Sequence, residues 1–124
     1  MEIVTDWQSV APALRGASVA MGNFDGVHRG HQAVIAAARR PGLPLGVVTF
    51  EPHPRQFFAP DAPAFRLMNA ESRANRLARL GVDRLYQLPF DPRLAGMTAA
   101  DFAQRVLGQG LGVAHVVVGA DFCF

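Results

Sequence analysis

Two histidines three residues apart, His28 and His31, lie in a glycine-punctuated stretch that reads Met21-Gly22-Asn23-Phe24-Asp25-Gly26-Val27-His28-Arg29-Gly30-His31. Near a helix start that spacing puts both imidazoles on one face. Paired imidazoles can donate to phosphoryl oxygens and stabilise the charge that builds up during group transfer. Gly22, Gly26 and Gly30 carry no Cβ, so backbone and ligand can approach closely. Asn23 and Asp25 fit two roles: shaping the turn, as Asx residues do, or touching a nucleotide or a hydrated Mg²⁺. Arg29 points away from the histidine pair and reads as a solvated side chain. Other uses of the histidines stay open at this level. His31 can be the first core-facing residue of the helix with His28 as its cap, or the two can bind zinc, although no third ligand lies nearby.

Such a loop needs a strand before it and a helix behind it. Ser18 to Met21 is a short apolar strand, and from Val27 the period changes: His31, Val34, Ile35 and Ala38 fall at helical spacing. Arg39 and Arg40 suit the negative end of that helix, and Pro41-Gly42 stop it. Free N–H groups at the positive end of its dipole would face the glycine loop, which is where phosphate binds. Leu45 to Phe50 is continuously apolar, as for a strand buried on both faces. Glu51 to Pro63, carrying Pro52, Pro54, Pro60 and Pro63, reads as a long functional loop. Asn69 caps a helix with Ala74, Leu77, Ala78 and Leu80, closed by Gly81. Leu85 to Leu88 is a third strand. Thr98 and Asp101 resemble a capping box before a stripe of Ala99, Phe102, Ala103 and Val106, and Gly108, Gly110 and Gly112 end that helix. His115 to Val118 is a fourth strand. Residues 1–17 read as an irregular lead-in with Trp7 as an anchor. Alternation of this kind predicts an α/β domain, a parallel sheet with helices on both faces.

Composition narrows the function classes. The chain has 124 residues, 50% hydrophobic and 18% charged, enough for one globular domain with a core. Twelve basic against ten acidic residues give a net charge of +2, too mild to point to nucleic acid. A single cysteine, Cys123, excludes an internal disulfide and a Cys-based zinc site and fits a reducing, cytoplasmic setting. With no activating base evident, it reads as a buried or edge thiol. No signal peptide and no apolar run of membrane-spanning length is visible. The sequence stops at Phe124, straight after the apolar run Val116-Val117-Val118 and Gly119-Ala120-Asp121-Phe122, which predicts a fragment.

The stretch Gly22-Asn23-Phe24-Asp25-Gly26-Val27-His28-Arg29-Gly30-His31 resembles the nucleotide-binding signature of bacterial FAD synthetases, the bifunctional riboflavin kinase/FMN adenylyltransferases. Its His28-Arg29-Gly30-His31 portion is similar to the His-x-Gly-His element of the wider nucleotidyltransferase superfamily. Thr49-Phe50-Glu51-Pro52-His53-Pro54-Arg55 is similar to the family's loop after the second strand, and Val118-Gly119-Ala120-Asp121-Phe122 to its Gly-x-Asp-Phe element. Leu80-Gly81-Val82-Asp83 and Leu88-Pro89-Phe90-Asp91 match the pattern between them.

The resemblance implies a Rossmann-like nucleotidyltransferase fold, C-terminally incomplete, with the first and fourth predicted strands side by side. It implies that residues 1–124 are a truncated FMN adenylyltransferase domain. The family's later glycine- and arginine-rich loop, its Ser/Thr-rich element with a phosphate-gripping arginine, and its riboflavin kinase domain do not occur within this sequence. The implied reaction is transfer of AMP from ATP to FMN, giving FAD and pyrophosphate, with Mg²⁺ accompanying the ATP and no direct protein–metal ligand. His28 and His31 would be catalytic. Gly22, Asn23, Phe24, Asp25, Gly30, Gly119 and Asp121 would bind ATP. His53, Pro54, Arg55, Phe57, Phe58 and Arg66 would form the flavin side, where the two guanidiniums match a phosphate and the rings can face an isoalloxazine. Phe65 can join them, and His115 is expected to be structural. The partners are therefore ATP and FMN, with neither nucleic acid nor membrane. Alternatives are another nucleotidyltransferase acting on pantetheine phosphate or nicotinamide mononucleotide, or a nucleotide- or flavin-binding fragment without turnover.

Overall fold

The computed structural model describes residues 1–24, 29–52, 57–59 and 69–119. Its five strands are β1 (Glu2–Val4), β2 (Ser18–Met21), β3 (Leu45–Glu51), β4 (Arg84–Pro89) and β5 (His115–Val118). They form one sheet in the order β1-β4-β3-β2-β5, with every pairing parallel. The helices are α1 (Arg29–Ala38), α2 (Ala70–Arg79), α3 (Pro92–Ala95) and α4 (Ala99–Asp101), the last running directly into a π-helix (Phe102–Leu111).

The connections decide which face each helix covers. The chain steps from β2 to β3 to β4 in one direction, through α1 and α2, then returns past β3 and β2 to reach β5 on the far side. Right-handed crossovers then put α1 and α2 on one face and the π-helix on the other. The two cores follow the alternation of the strands. Ala20, Leu45, Val47 and Leu85 pack with Ile35, Ala38 and Leu77. Val19, Met21, Val48, Phe50, Tyr86 and Leu88 pack with Phe102, Val106, Leu107 and Leu111. Six consecutive residues of β3, Leu45 to Phe50, are buried, as the continuous apolar run predicts.

Several expectations need correction. The lead-in is not wholly irregular: Glu2–Val4 is an edge strand paired only with β4, and Pro12–Leu14 is a 3-10 turn. Trp7 is buried, as expected of an anchor. Thr98 does cap, its Oγ1 accepting from Asp101 N at 3.1 Å, but the stripe behind it is different. Phe102 and Val106 are buried as expected, but Ala99 and Ala103 are exposed, and the buried set runs Phe102, Val106, Leu107 and Leu111. That spacing of four, one and four matches the wider π turn rather than the α turn. Gly108 and Gly110 lie inside this helix instead of ending it. Gly110 lets it rest on the lead-in, since a Cβ there would sit 2.7 Å from the Trp7 carbonyl oxygen. The helix ends at Gly112, whose φ of +63° only glycine adopts without strain. Arg39 and Arg40 fall just past α1, yet Arg40 Nη1 still donates to the Ala37 carbonyl at 2.9 Å, as the dipole argument requires. Pro92–Ala95, capped by the Asp91 carboxylate, is a short helix the periodicity does not announce.

His115 is structural. Arg40 Nη2 lies 3.1 Å from its Nε2 and Ser18 Oγ lies 3.4 Å from its Nδ1, while Ser18 Oγ donates to the Ala38 carbonyl. The chain of donors closes the N-terminal rim of the sheet, the end away from the glycine loop.

Candidate functional site at the C-terminal rim of the sheet

β2 and β5 are neighbours, with Met21 opposite Val118. The chain leaves β2 towards β3 and β4 on one side and later reaches β5 on the other, so the strand order reverses between β2 and β5, and open α/β sheets bind ligands at the C-terminal ends of strands at such a point. Gly22 to Phe24 leave β2 there, Gly119 leaves β5 there, and α1 begins there with Arg29, Gly30 and His31 in its first turn. The side-by-side placement of the first and fourth predicted strands therefore holds. Among the candidate ATP-side residues, Gly22, Asn23, Phe24, Gly30, His31 and Gly119 are brought to this one rim. Asp25, His28 and Asp121 lie outside the described residues.

The local geometry explains the Gly-Asn-Phe spelling. Gly22 N still donates to Val48 O at 3.1 Å, the last rung of the β2–β3 ladder. Phe24 then takes φ +52°, a left-handed backbone that L-residues rarely adopt, and folds its ring back into the core, where it is 2% exposed. A Cβ on residue 22 would meet that ring at 3.2 Å, so Gly22 makes room for it. The buried Phe24 ring in turn meets His31 edge-on, with centroids 5.2 Å apart and planes at 66°. The glycine thus sets the phenylalanine, and the phenylalanine sets the imidazole at the start of α1. The Asn23 side-chain oxygen is buried here and has no hydrogen-bond partner among the described residues.

On the flavin side, His53, Pro54, Arg55, Arg66 and Phe65 lie outside the described residues. Phe57 and Phe58 are placed at the same rim on the opposite face of the sheet. Phe57 is half-buried and packs on Phe90 at 5.4 Å, while Phe58, 67% exposed, contacts Phe57 at 5.3 Å and Phe90 at 5.9 Å. Phe50 supports Phe90 from beneath at 5.7 Å. The two phenylalanines divide the alternatives: Phe57 joins the core, and Phe58 presents its ring outward. Phe90 is the ring on which both rest.

Sequence reasoning also passed over Arg73. It is 1% exposed, on the buried side of α2. Its Nη1 donates to the Asn23 carbonyl at 3.1 Å and its Nη2 to Glu51 Oε2 at 3.2 Å. A charge inside a core must be paired, because desolvating it otherwise is costly. The signal was present: stepping back one turn from Leu77 along the apolar stripe of α2 lands on Arg73. A second buried polar atom, Thr49 Oγ1 in β3, lacks a hydrogen-bond partner among the described residues. Burial raises the Tyr86 phenol above its ordinary value, against the lowering pull of Arg84 and Arg15.

A switch-point crevice beside a helix N-terminus suits a phosphorylated nucleotide. A family model for FAD synthetase matches residues 10–124. The chain belongs to the FAD synthetase family. The bifunctional riboflavin kinase/FMN adenylyltransferase of Pseudomonas fluorescens is 45% identical over 128 residues, covering 100% of this chain and 41% of its own length. Its namesakes in Escherichia coli K12 and Bacillus subtilis are 40% and 37% identical, covering 88% and 86% of this chain and 36% and 35% of theirs. The chain thus spans well under half the length of these relatives. A crystal structure described as a macrolide-efflux protein from Streptococcus pneumoniae shares the fold, with a TM-score of 0.73 at 30% identity over 98% of this chain and 41% of that one. Among the described residues, no helix is long and apolar enough to cross a membrane.

Proposed function

We propose that this chain belongs to an FMN adenylyltransferase domain, which transfers AMP from ATP to FMN in the cytoplasm. The FMN phosphate oxygen attacks the α-phosphorus in line; a new P–O–P bond forms, the bond to the β-phosphate bridging oxygen breaks, and pyrophosphate leaves with FAD as product. The observation that carries this reading is the FAD synthetase match across residues 10–124. The placement of Gly22–Phe24, Gly30, His31 and Gly119 at one switch point supports it.

The protein's contribution is positioning and charge stabilisation, with no covalent enzyme intermediate. The N-terminal end of α1 faces the polyphosphate, with Gly30 in its first turn carrying no Cβ to hold the phosphates off, while Gly22 makes room for the Phe24 ring beside it. His28 and His31 donate to the oxygens that gain charge as pyrophosphate departs. Asn23, Phe24, Asp25, Gly119 and Asp121 shape the nucleotide half. His53, Pro54, Arg55, Phe57, Phe58 and Arg66 make the acceptor half, where Phe58 offers an exposed ring to the isoalloxazine. The donors at this rim, the Asn23 amide oxygen and the Glu51 carboxylate, are hard oxygens that suit Mg²⁺, but Glu51 is already engaged by Arg73. Mg²⁺ carried with the ATP would neutralise polyphosphate charge.

The test is an acceptor panel. The full-length polypeptide is given Mg-ATP with FMN, riboflavin, pantetheine phosphate or nicotinamide mononucleotide, and dinucleotide products are separated by chromatography. FMN should be converted to FAD in preference to the other acceptors. His28→Ala and His31→Ala should each slow FAD formation by roughly a hundredfold or more, as loss of a transition-state donor does, with little change in melting temperature. Preferential adenylylation of another acceptor, or unimpaired turnover in both variants, would overturn the assignment.

A further inference from the structure

The two halves of the proposed site are joined by one guanidinium. Arg73 reaches from α2 with one nitrogen on the Asn23 carbonyl, 3.1 Å away, in the loop leaving β2. Its other terminal nitrogen lies 3.2 Å from Glu51 Oε2, at the last residue of β3. Glu51 then reaches the acceptor side through its backbone: its carbonyl accepts from Phe90 N at 3.1 Å. Phe90 is the ring that supports Phe57 and Phe58. A continuous path therefore runs from the nucleotide loop through Arg73 and Glu51 to the aromatic platform. Arg73 is almost wholly buried while Glu51 is 31% exposed in its side chain, so the fixed end of the link is the arginine and the adjustable end faces the rim.

We propose that Arg73 is a positioning residue that couples occupation of the nucleotide half to occupation of the acceptor half by holding the Asn23 loop and the end of β3 on one guanidinium. This rests on the functional reading above. A nucleotide bound beside Asn23 bears on the carbonyl that the Arg73 fork holds, and the fork passes that bias to Glu51 and the Phe90 platform. Bound nucleotide then prepares the acceptor half, and by linkage bound FMN prepares the nucleotide half by the same factor. Only a planar fork serves both partners at once; a lysine ammonium keeps the charge but is a single point without that geometry.

The coupling is measured on the full-length polypeptide as the ratio of FMN dissociation constants without and with α,β-methylene-ATP. In the wild type the nucleotide should tighten FMN by about tenfold, within the usual range for coupled sites. In Arg73→Lys the ratio should fall below about threefold, with the affinity for α,β-methylene-ATP alone changed much less. The KM for FMN at saturating ATP should rise accordingly. Glu51→Ala breaks the same link from its exposed end and leaves the buried arginine on Asn23, so it should lose the coupling even where Arg73→Lys folds poorly. Loss of melting temperature with the ratio intact in both variants would show a purely structural arginine and overturn the proposal. A wild type that forms no FAD would instead overturn the functional reading, a separate result read in the turnover assay.

Discussion

Gly22→Ala probes the smallest unit of the site, one methyl group placed against one ring. The added Cβ would lie 3.2 Å from Phe24 Cε2, 3.5 Å from Cζ and 3.6 Å from Cδ2. The first distance requires the ring to give by a few tenths of an ångström. Phe24 has little room to give: it is 2% exposed, held at φ +52°, and edge-on to His31. Overpacking of this kind costs about 1–3 kcal/mol. Alanine recovers roughly 0.4–1 kcal/mol by restricting the unfolded chain, since Gly22 itself is not at positive φ. The net loss should be about 1–2 kcal/mol, or roughly 4–10 °C in melting temperature for a domain of this size. The ring's displacement passes directly to His31, so kcat/KM for FAD formation at 25 °C should fall more than about tenfold while the protein remains folded. Phe24→Leu removes the opposing ring edge. In a double-mutant cycle its combination with Gly22→Ala should be less destabilised than the sum of the singles by about 1 kcal/mol. A melting temperature that rises in Gly22→Ala, with full activity, would refute the placement of the Phe24 ring over Gly22.

Two further outcomes follow from the core. Gly46→Ala should be more damaging to stability than Gly22→Ala, by denaturant titration, because its Cβ would lie 2.8 Å from Val19 Cγ1 and 3.0 Å from Tyr86 Cε2 inside the sheet; equal or smaller loss would contradict the packing of β3. Burial raises the Tyr86 phenol above its ordinary value, so above about pH 10 the folded state holds more protons than the unfolded state and stability falls as pH rises. Below about pH 10 that contribution is fully present. Tyr86→Phe should lose about 1 kcal/mol at neutral pH, from the hydrogen bond its hydroxyl donates to the Leu14 carbonyl at 2.7 Å, but should show a shallower alkaline decline. The chain has one tyrosine, so tyrosinate absorbance reads this group alone; parallel alkaline declines in wild type and variant would count against it.

How much of this was legible in the sequence depended on how locally each feature is encoded. The strand–loop–helix around Gly22 and His31 was readable because turn chemistry, strand burial and helical period all act within a dozen residues. β1 was not, because its three residues gain their order from pairing with β4, 82 positions on, and only Val4 is buried. Phe102 and Val106 are legible as the buried stripe, but an α period puts Ala99 and Ala103 beside them where the π-helix places Leu107 and Leu111. Phe90 was seen as part of a pattern, but its role as the support for Phe57 and Phe58 exists only once β3 and β4 lie side by side. Arg73 was hidden by the habit of reading arginines on helices as solvated, although its position one turn before Leu77 marked it as inward-facing.

The central claim is adenylyl transfer to FMN, and isotopic labelling of ATP tests it most directly. The full-length polypeptide is incubated with FMN and either [α-³²P]ATP or [γ-³²P]ATP, and products are resolved by chromatography. Label from the α-phosphate should appear in FAD, and label from the γ-phosphate should appear in pyrophosphate. Absence of α-label from FAD, with the γ-label remaining in ATP, would contradict the account.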